Sequence, residues 1–389
     1  MRADIDQILK TLKAVLPPSE RPIGLHEPEF GDAERAYVLD CIDSTFVSSV
    51  GKYVDRFEEM LADFTGARRA VAVCNGTAAL HVALEVAGVA PGDEVLVPAL
   101  TFIATANAVS YCGARPHFVD SDAATLGLDP DKLEEGLRRS AHMVNGECRN
   151  RLTGAHIAAV VPMHTFGHPV AMDRLLSVAA AWNIAVVEDA AESLGSAYRG
   201  KHTGRFGAMG TLSFNGNKTI TTGGGGAVIT DDEALGTRLK HLTTTAKMPH
   251  TWAFGHDAVG YNYRMPNLNA ALGCAQMERL PTFLSEKRAL AAHYRKAFAD
   301  VPGVTFVGEP AECESNYWLN VLLLDEDSAD LLQPLLERTN AAGIGTRPVW
   351  TLMHHLPMYA ACQRMDLTVA ESLARRLVNI PSSPILGRS

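Results

Sequence analysis

Short apolar runs alternate with helical segments along the chain between about residue 70 and residue 240. The apolar runs are almost continuous, which is typical of strands covered on both faces. The segments between them have the composition and spacing of helices. This order predicts a mostly parallel sheet between layers of helices, an α/β fold. The predicted strands are residues 71–75, 93–100, 115–120, 157–164, 184–191, 207–214 and 225–232.

The pattern changes at both ends of the chain. Near the N-terminus, apolar residues from Ile5 to Leu16 recur at helical spacing, and two prolines end the run. After about residue 270, a long helical stretch leads to the apolar strand NYWLNVLLL and then to further helices. We therefore expect an N-terminal helical arm (1–30), a large α/β domain (31–269) and a small C-terminal α+β domain (270–389).

The composition narrows the possible functions. The chain has 389 residues, 47% of them apolar, and a formal net charge of −9. An acidic protein repels phosphate backbones, so we expect no nucleic-acid partner. The apolar runs are too short to span a membrane. The seven cysteines are odd in number and contain no CxxC pair, which favours reduced thiols in a cytoplasmic protein over disulfides or a metal site.

Three motifs lie at the ends of predicted strands. CNGTAAL (74–80) places Gly76 and Thr77 at a strand-to-helix turn, where free N–H groups suit a phosphate, although an ordinary helix cap has the same pattern. VVEDAAES (186–193) puts Asp189 at the carboxyl end of a strand, where parallel sheets bind ligands, although a capping or ion-paired aspartate also fits. SFNGNKTITTGGGG (213–226) holds Lys218, which is either solvated or placed to attack a carbonyl.

Together the three motifs match the needs of one cofactor. Pyridoxal 5′-phosphate requires a lysine for its aldehyde, an aspartate for its pyridine nitrogen and a turn that holds its phosphate. Asp189 precedes Lys218 by enough residues for a connection and one strand. A nicotinamide-dependent oxidoreductase fits less well, because no GxGxxG motif joins a strand to a helix.

A larger set of motifs resembles that of one enzyme family. The motifs are NGTAAL, PALTFIATANAV, PMHTFGHP, VVEDAAES, SFNGNKTITTGGGG and GYNYRMPNLNAALG, and the similarity extends over nearly the whole chain. In these motifs the chain resembles the DegT/DnrJ/EryC1/StrS family of sugar-nucleotide aminotransferases. The resemblance implies the aspartate aminotransferase-like fold (fold type I), with residues 31–269 as the domain that binds pyridoxal phosphate.

The resemblance also implies roles for individual residues in binding and catalysis. Lys218 would form the Schiff base with the cofactor and shuttle protons, and Asp189 would pair with the pyridinium nitrogen. Gly76 and Thr77 would bind the phosphate, with help from the Ser213 hydroxyl.

Three further residues complete the implied site. Phe102, in PALTF, would stack on one face of the cofactor ring. Glu192 would lie beside the ring hydroxyl, where many relatives carry Gln. Asn262, in GYNYR, would reach across a dimer interface to the phosphate of the neighbouring site, so the resemblance implies a homodimer with composite sites.

The glycine run after Lys218 indicates which branch of the family the chain resembles. Many relatives have Glu where this chain has Gly224, and together with PMHTFGHP and AKMPHTWAFGHDAVGYNYRMP this resembles the LegC/PglE branch. That branch implies amination at C4 of UDP-2-acetamido-2,6-dideoxy-4-hexulose, with L-glutamate as donor and pyridoxamine phosphate as the intermediate form of the cofactor.

Two alternative functions remain open. One is a dehydratase on the same scaffold, against which Lys218 weighs because such enzymes have His there, and the other is a cofactor-binding regulatory protein without turnover.

Overall fold

The computed structural model describes residues 2–388, in which helices alternate with short strands. The helices are Ile5–Val15 (α1), Asp32–Asp43 (α2), Lys52–Thr65 (α3), Gly76–Val86 (α4), Ile103–Tyr111 (α5), Pro130–Ser140 (α6), Met172–Ala181 (α7), Glu233–Thr243 (α8), Asn267–Phe298 (α9), Leu332–Ala341 (α10) and Thr368–Ala374 (α11). The strands are Arg69–Val73 (β1), Glu94–Pro98 (β2), Arg115–Val119 (β3), Ala141–Val144 (β4), Glu147–Asn150 (β5), Ile157–Val160 (β6), Ala185–Asp189 (β7), Ala197–Tyr198 (β8), Lys201–His202 (β9), Met209–Ser213 (β10), Gly226–Thr230 (β11), Val304–Phe306 (β12), Cys313–Glu314 (β13), Asn320–Leu324 (β14), Arg347–Pro348 (β15) and Leu377–Ile380 (β16).

A seven-stranded sheet has the strand order β1-β11-β10-β7-β6-β2-β3. All neighbours from β10 to β3 are parallel. Strand β11 runs antiparallel to both β1 and β10, so the connection between β10 and β11 begins and ends at neighbouring strands. Each predicted apolar run overlaps one strand of this sheet, and the predicted mostly parallel α/β fold is confirmed.

The strands of this sheet bury both faces, which explains their near-continuous apolar sequences. In β1, Val71 and Val73 belong to an apolar cluster with residues of α4, α5 and α8. Ala70 and Ala72 of the same strand belong to a second cluster, formed with α3 and α9. Further along the sheet, the face opposite α4 and α5 packs against α6 and α7.

The β4–β5 hairpin lies outside this sheet and was not predicted. Its turn is formed by Asn145 and Gly146, which have φ values of 51° and 85°. An Asn-Gly pair between two short runs is a strong hairpin signal, because both residues adopt positive φ readily. The signal was therefore present in the sequence, but the runs of apolar residues beside it were too short to draw attention.

A second, antiparallel sheet with the order β12-β14-β16-β15 lies in the C-terminal part of the chain. Helix α1 contributes Ile8 and Leu12 to the apolar cluster that covers this sheet, together with residues of α9 and α10. Helix α9 begins at Asn267, so the predicted boundary between 269 and 270 falls in its first turn. The division into three parts stays a prediction. None of the helices within residues 2–388 combines the length and apolar character that a membrane crossing needs.

Candidate active site

A cavity of about 220 Å³ opens where β1, β2, β7 and β10 end. The carboxyl edge of parallel strands is the usual ligand-binding edge of such sheets. Seven of the eight predicted site residues line this cavity: Gly76, Thr77, Phe102, Asp189, Glu192, Ser213 and Lys218. Asn262 does not line the cavity of its own chain and is exposed on the segment after α8.

The start of α4 forms one wall of the cavity. The side chain of Asn75 caps this helix by accepting a hydrogen bond from the Ala78 N–H (2.8 Å). The N–H groups of Gly76 and Thr77 precede the first intrahelical hydrogen bond, so they are free for a ligand. A Cβ on Gly76 would lie 2.8 Å from the Cβ of Ser213, which explains the glycine. The helix start and the Ser213 hydroxyl therefore form one cradle of hydrogen-bond donors at the cavity, which suits an anion.

Asp189 ends β7 with its carboxylate almost fully buried. Its Oδ2 accepts a hydrogen bond from the Thr105 hydroxyl (2.7 Å), and its Oδ1 accepts one from the Ala191 N–H (3.2 Å). The neighbouring Thr101 hydroxyl lies 2.8 Å from that of Thr105. These bonds fix the orientation of the carboxylate. Thr105 was missed by the sequence analysis, although it lies one turn after Phe102 in the quoted TFIATANAV segment.

The residue before Asp189 is held by a buried polar network. Glu188 accepts hydrogen bonds from the N–H groups of Phe206 and Gly207 and from His164 Nε2 (2.6, 2.7 and 3.0 Å). Since both His164 and Glu188 are completely buried, this network keeps the end of β7 in place and places His164 outside the cavity.

Lys218 lies on the connection between β10 and β11 with its side chain 12% exposed, which disfavours the alternative of a solvated lysine. Its Nζ is 3.3 Å from Glu192 Oε1 and 3.9 Å from the centroid of the Trp318 ring. A carboxylate and an aromatic face both stabilise an ammonium group. No local signal in the sequence links Trp318 to a lysine 100 positions earlier.

The connection that carries Lys218 is held by hydrogen bonds at the residues on both sides of the lysine. Asn217 O accepts a hydrogen bond from Trp318 Nε1 (2.7 Å), and Thr219 Oγ1 accepts one from Asn316 Nδ2 (3.1 Å). Asn316 is completely buried, and its side chain also donates to the Leu194 carbonyl (2.9 Å). The segment preceding β14 therefore determines where the Lys218 amine lies.

Glu192 is buried beside the amine. Its Oε2 accepts a hydrogen bond from the Phe166 N–H (2.9 Å). Burial raises the pKa of Glu192 to about 7, although the charge of Lys218 acts in the opposite direction. Glu192 therefore titrates near neutral pH rather than in the range usual for a carboxyl group.

These groups fit pyridoxal phosphate on structural grounds. The cradle at Gly76 and Ser213 suits a phosphate, and the buried Asp189 carboxylate suits a protonated ring nitrogen. The Lys218 amine lines the same cavity. Phe102 lines it as well and is 47% exposed, so its ring has a free surface on which a flat ligand can stack.

Among residues 2–388, His354, His355 and Glu371 form a group outside the cavity whose polar atoms lie within 4.8 Å of one another. The Nε2 atoms of the two histidines are 2.8 and 2.9 Å from Glu371 Oε1. Hydrogen bonds to this shared carboxylate oxygen account for the arrangement.

Comparison with known proteins gives a consistent result. The model of the DegT/DnrJ/EryC1/StrS aminotransferase family matches residues 28–389. The chain is 38% identical to a GDP-perosamine synthase of Caulobacter vibrioides, over 92% of this chain and 93% of the relative. It is 36% identical to EpsN of Bacillus subtilis, a putative pyridoxal phosphate-dependent aminotransferase, over 93% and 91%. The crystal structure of the aminotransferase TlmJ from Streptoalloteichus hindustanus superposes with a TM-score of 0.83 at 28% identity, over 92% and 93%. The chain therefore belongs to the DegT/DnrJ/EryC1/StrS aminotransferase family and is a sugar aminotransferase that uses pyridoxal 5′-phosphate.

Proposed function

We propose that this enzyme transfers an amino group from L-glutamate to C4 of a nucleotide-linked 4-keto-6-deoxy sugar. The observation that carries the proposal is the position of Lys218 Nζ, which lies 3.3 Å from Glu192 in a cavity that Asp189 and the start of α4 also line. A lysine, a carboxylate and a free helix start are the groups that pyridoxal phosphate-dependent transamination uses.

The identity of the nucleotide is proposed from two sources. GDP-perosamine synthases that are 35% to 38% identical to this chain favour the GDP-linked keto sugar whose amination gives GDP-perosamine. The resemblance around Gly224 and PMHTFGHP favours UDP-2-acetamido-2,6-dideoxy-4-hexulose instead. We take the GDP sugar as the first candidate because the similarity extends over at least 93% of each of those relatives, and the UDP sugar as the second.

The roles of the binding residues follow from the geometry of the cavity. When bound, pyridoxal phosphate supplies an electron sink that stabilises negative charge on a carbon that loses a proton. Asp189 would accept a hydrogen bond from the ring nitrogen, and Thr105 fixes the carboxylate in the orientation for that bond. The N–H groups of Gly76 and Thr77 and the Ser213 hydroxyl would bind the phosphate.

Lys218 carries the proton transfers in this proposal. In the first half-reaction its Nζ takes a proton from the α-carbon of glutamate. In the second half-reaction it delivers a proton to C4 of the sugar, and its side of approach determines the configuration of the new amine. The hydrogen bonds at Asn217 and Thr219 fix the backbone on either side of Lys218 in the same position for both steps.

We further propose a homodimer in which Asn262 completes the phosphate site of the partner subunit. Asn262 is exposed, so it is free to meet another chain. Exposed apolar side chains on α2 and the segment after it support an interface with a second copy: Leu39, Ile42, Phe46 and Val50.

All seven cysteines are free, which supports the proposed cytoplasmic location.

The two alternatives predict different products. A dehydratase would remove a hydroxyl group without adding nitrogen, and a regulatory protein would bind the cofactor without turning over a sugar. The assembled Lys218, Asp189 and helix start support the aminotransferase over both.

One experiment tests the proposed function. The enzyme is incubated with glutamate and, in separate reactions, with GDP-linked and UDP-linked 4-keto sugars, and the products are identified by NMR. We expect an amine at C4 with one nucleotide strongly preferred, whereas turnover of neither sugar contradicts the substrate class.

Borohydride reduction followed by peptide mapping tests whether Lys218 is the residue that forms the Schiff base. We expect the cofactor label on Lys218, with Lys10→Ala, a change of an exposed lysine on α1, labelled like the wild type. A label on another residue contradicts the assigned role of Lys218.

A further inference from the structure

Glu192 and Lys218 form a close pair inside the cavity. The side chains are 1% and 12% exposed, and Glu192 Oε1 lies 3.3 Å from Lys218 Nζ. On another side of the ammonium group lies the Trp318 ring, at 3.9 Å from its centroid. Water therefore has little access to the space between the carboxylate and the amine.

The backbone around Phe166 holds Glu192 in this position. The Phe166 N–H donates to Glu192 Oε2, and Phe166 has a φ of 57°, which is rare for a buried aromatic residue. Such a conformation is strained and persists only where surrounding contacts impose it. Here the next carbonyl, that of Gly167, accepts hydrogen bonds from the Ser196 and Ser315 hydroxyls (2.7 and 3.0 Å). The carboxylate is thus directed at the lysine by a strained, well-supported turn.

The charged groups that face this pair come from several segments. Asp189 faces Glu192 from the end of β7, and its charge contributes to the raised pKa of Glu192. Two further titratable groups near the pair are His26, on the segment after α1, and Lys287, on α9. Burial, together with the charges of Lys287 and Lys218, holds the pKa of His26 well below its usual value. Burial also lowers the pKa of Lys287, whose Nζ donates only to the carbonyls of Trp318 and Ser382.

The pair has two possible proton arrangements. The ion pair is stabilised by mutual attraction and by the Trp318 face. The neutral pair avoids the desolvation of two buried charges. Burial shifts the balance towards the neutral carboxylic acid, in line with a Glu192 pKa of about 7.

We propose that Glu192 is the proton acceptor of Lys218, taking one proton from the Nζ ammonium to leave a neutral amine and a neutral carboxylic acid, and returning it when the amine is protonated again. The N–H bond of the ammonium breaks and an O–H bond forms at Glu192 Oε1, so the net charge of the pair is zero before and after. The inference rests on the proposed role of Lys218, because a lysine reacts with a carbonyl only as the free amine.

The test measures how fast Lys218 captures pyridoxal phosphate. Full-length apoenzyme is mixed with the cofactor at pH values from 6 to 9, quenched with borohydride at timed intervals, and the labelled Lys218 peptide is quantified by mass spectrometry. Glu192→Gln preserves the shape of the side chain but keeps only one of its two acceptor oxygens and cannot carry the proton, whereas Glu192→Asp retains a carboxyl group. Glu326→Gln, which removes a carboxylate exposed near α10, is the control.

We expect Glu192→Gln to slow capture at pH 7 by about 100-fold, within the range of general acid–base effects, with the same final labelled fraction. Glu192→Asp should recover part of the rate. Formate should accelerate capture by Glu192→Ala, since a small carboxylate can accept the proton of the Lys218 ammonium in place of the Glu192 side chain. Capture by Glu192→Gln within twofold of wild type, or no rescue by formate, overturns the inference.

The two proposals fail in distinguishable ways. If the wild-type label is absent from position 218 at the end point, the proposed role of Lys218 is wrong. If Lys218 is fully labelled in every variant at equal rates, only the role of Glu192 is wrong. Should Glu192→Gln fail to fold, the formate response of Glu192→Ala and the rate of Glu192→Asp decide the question by the same criteria.

Discussion

Replacing Gly76 by alanine tests the phosphate cradle directly. The new Cβ would lie 2.8 Å from Ser213 Cβ and 3.1 Å from Ser213 Oγ. Ordinary contacts begin near 3.4 Å, so the helix start and the end of β10 must separate by several tenths of an ångström. The two N–H donors at the helix start and the serine hydroxyl then no longer converge on one phosphate.

The expected magnitude follows from the loss of one hydrogen bond to a charged group, which is about 1.5–3 kcal/mol. This corresponds to a dissociation constant for pyridoxal phosphate that is about 10- to 100-fold higher. Overpacking should also destabilise the apoenzyme by about 1–3 kcal/mol. The cofactor affinity is measured by absorbance titration of apoenzyme, and stability by thermal unfolding without cofactor.

Gly216→Ala is the matched control for this prediction. Gly216 lies in the Lys218-bearing connection, but a Cβ there would meet nothing within 4 Å, and its φ lies outside the range that favours glycine. We expect this variant to bind the cofactor like wild type. If Gly76→Ala binds pyridoxal phosphate with an affinity within twofold of that of Gly216→Ala, the proposed role of the cradle in phosphate binding is refuted.

Three further predictions concern the cavity and the proposed dimer. Thr105→Val should retain the cofactor but lower kcat about 10-fold or more, because Asp189 loses a buried hydrogen bond worth about 1.5–3 kcal/mol; steady-state kinetics measures this. Because folded Glu192 binds its proton more tightly than the unfolded chain does, its contribution to stability is present below about pH 4.5 and is lost as pH rises towards 7, by at most about 3 kcal/mol. The melting temperature of wild-type apoenzyme should therefore fall relative to that of Glu192→Gln between pH 5 and pH 8, and parallel curves would contradict the raised pKa. Mixing inactive Lys218→Ala and Asn262→Ala subunits should restore part of the activity if sites are composite, since one site of the heterodimer carries neither change; no recovery on confirmed subunit exchange argues against them.

The convergence of the site residues was predictable because parallel strands end at one edge. Asp189 and Ser213 end β7 and β10, while Gly76 and Phe102 follow β1 and β2. Apolar runs locate those strands, and the residue that follows each run is then placed at the same edge. This reasoning requires no knowledge of long-range contacts, and the cavity lined by these residues lies at that edge.

The supporting contacts could not be predicted in the same way. Trp318 reaches Lys218 from the segment before β14, and Phe166 reaches Glu192 through a backbone N–H at a positive φ. Neither contact leaves a periodic or local signal in the sequence. The antiparallel direction of β11 was not predicted either, because hydrophobic patterning locates a strand but does not encode its direction.

The anchoring of the Lys218 connection has a consequence for the smallest working unit of this enzyme. Asn217 and Thr219 are hydrogen-bonded to Trp318 and Asn316, which lie more than eighty residues after the last strand of the seven-stranded sheet. A fragment that ended after the last strand of that sheet would retain the phosphate cradle and the aspartate while its amine lost the two fastenings that position it. Such a fragment would also lack α9, which covers one face of the sheet together with α3, so the site requires the rest of the polypeptide.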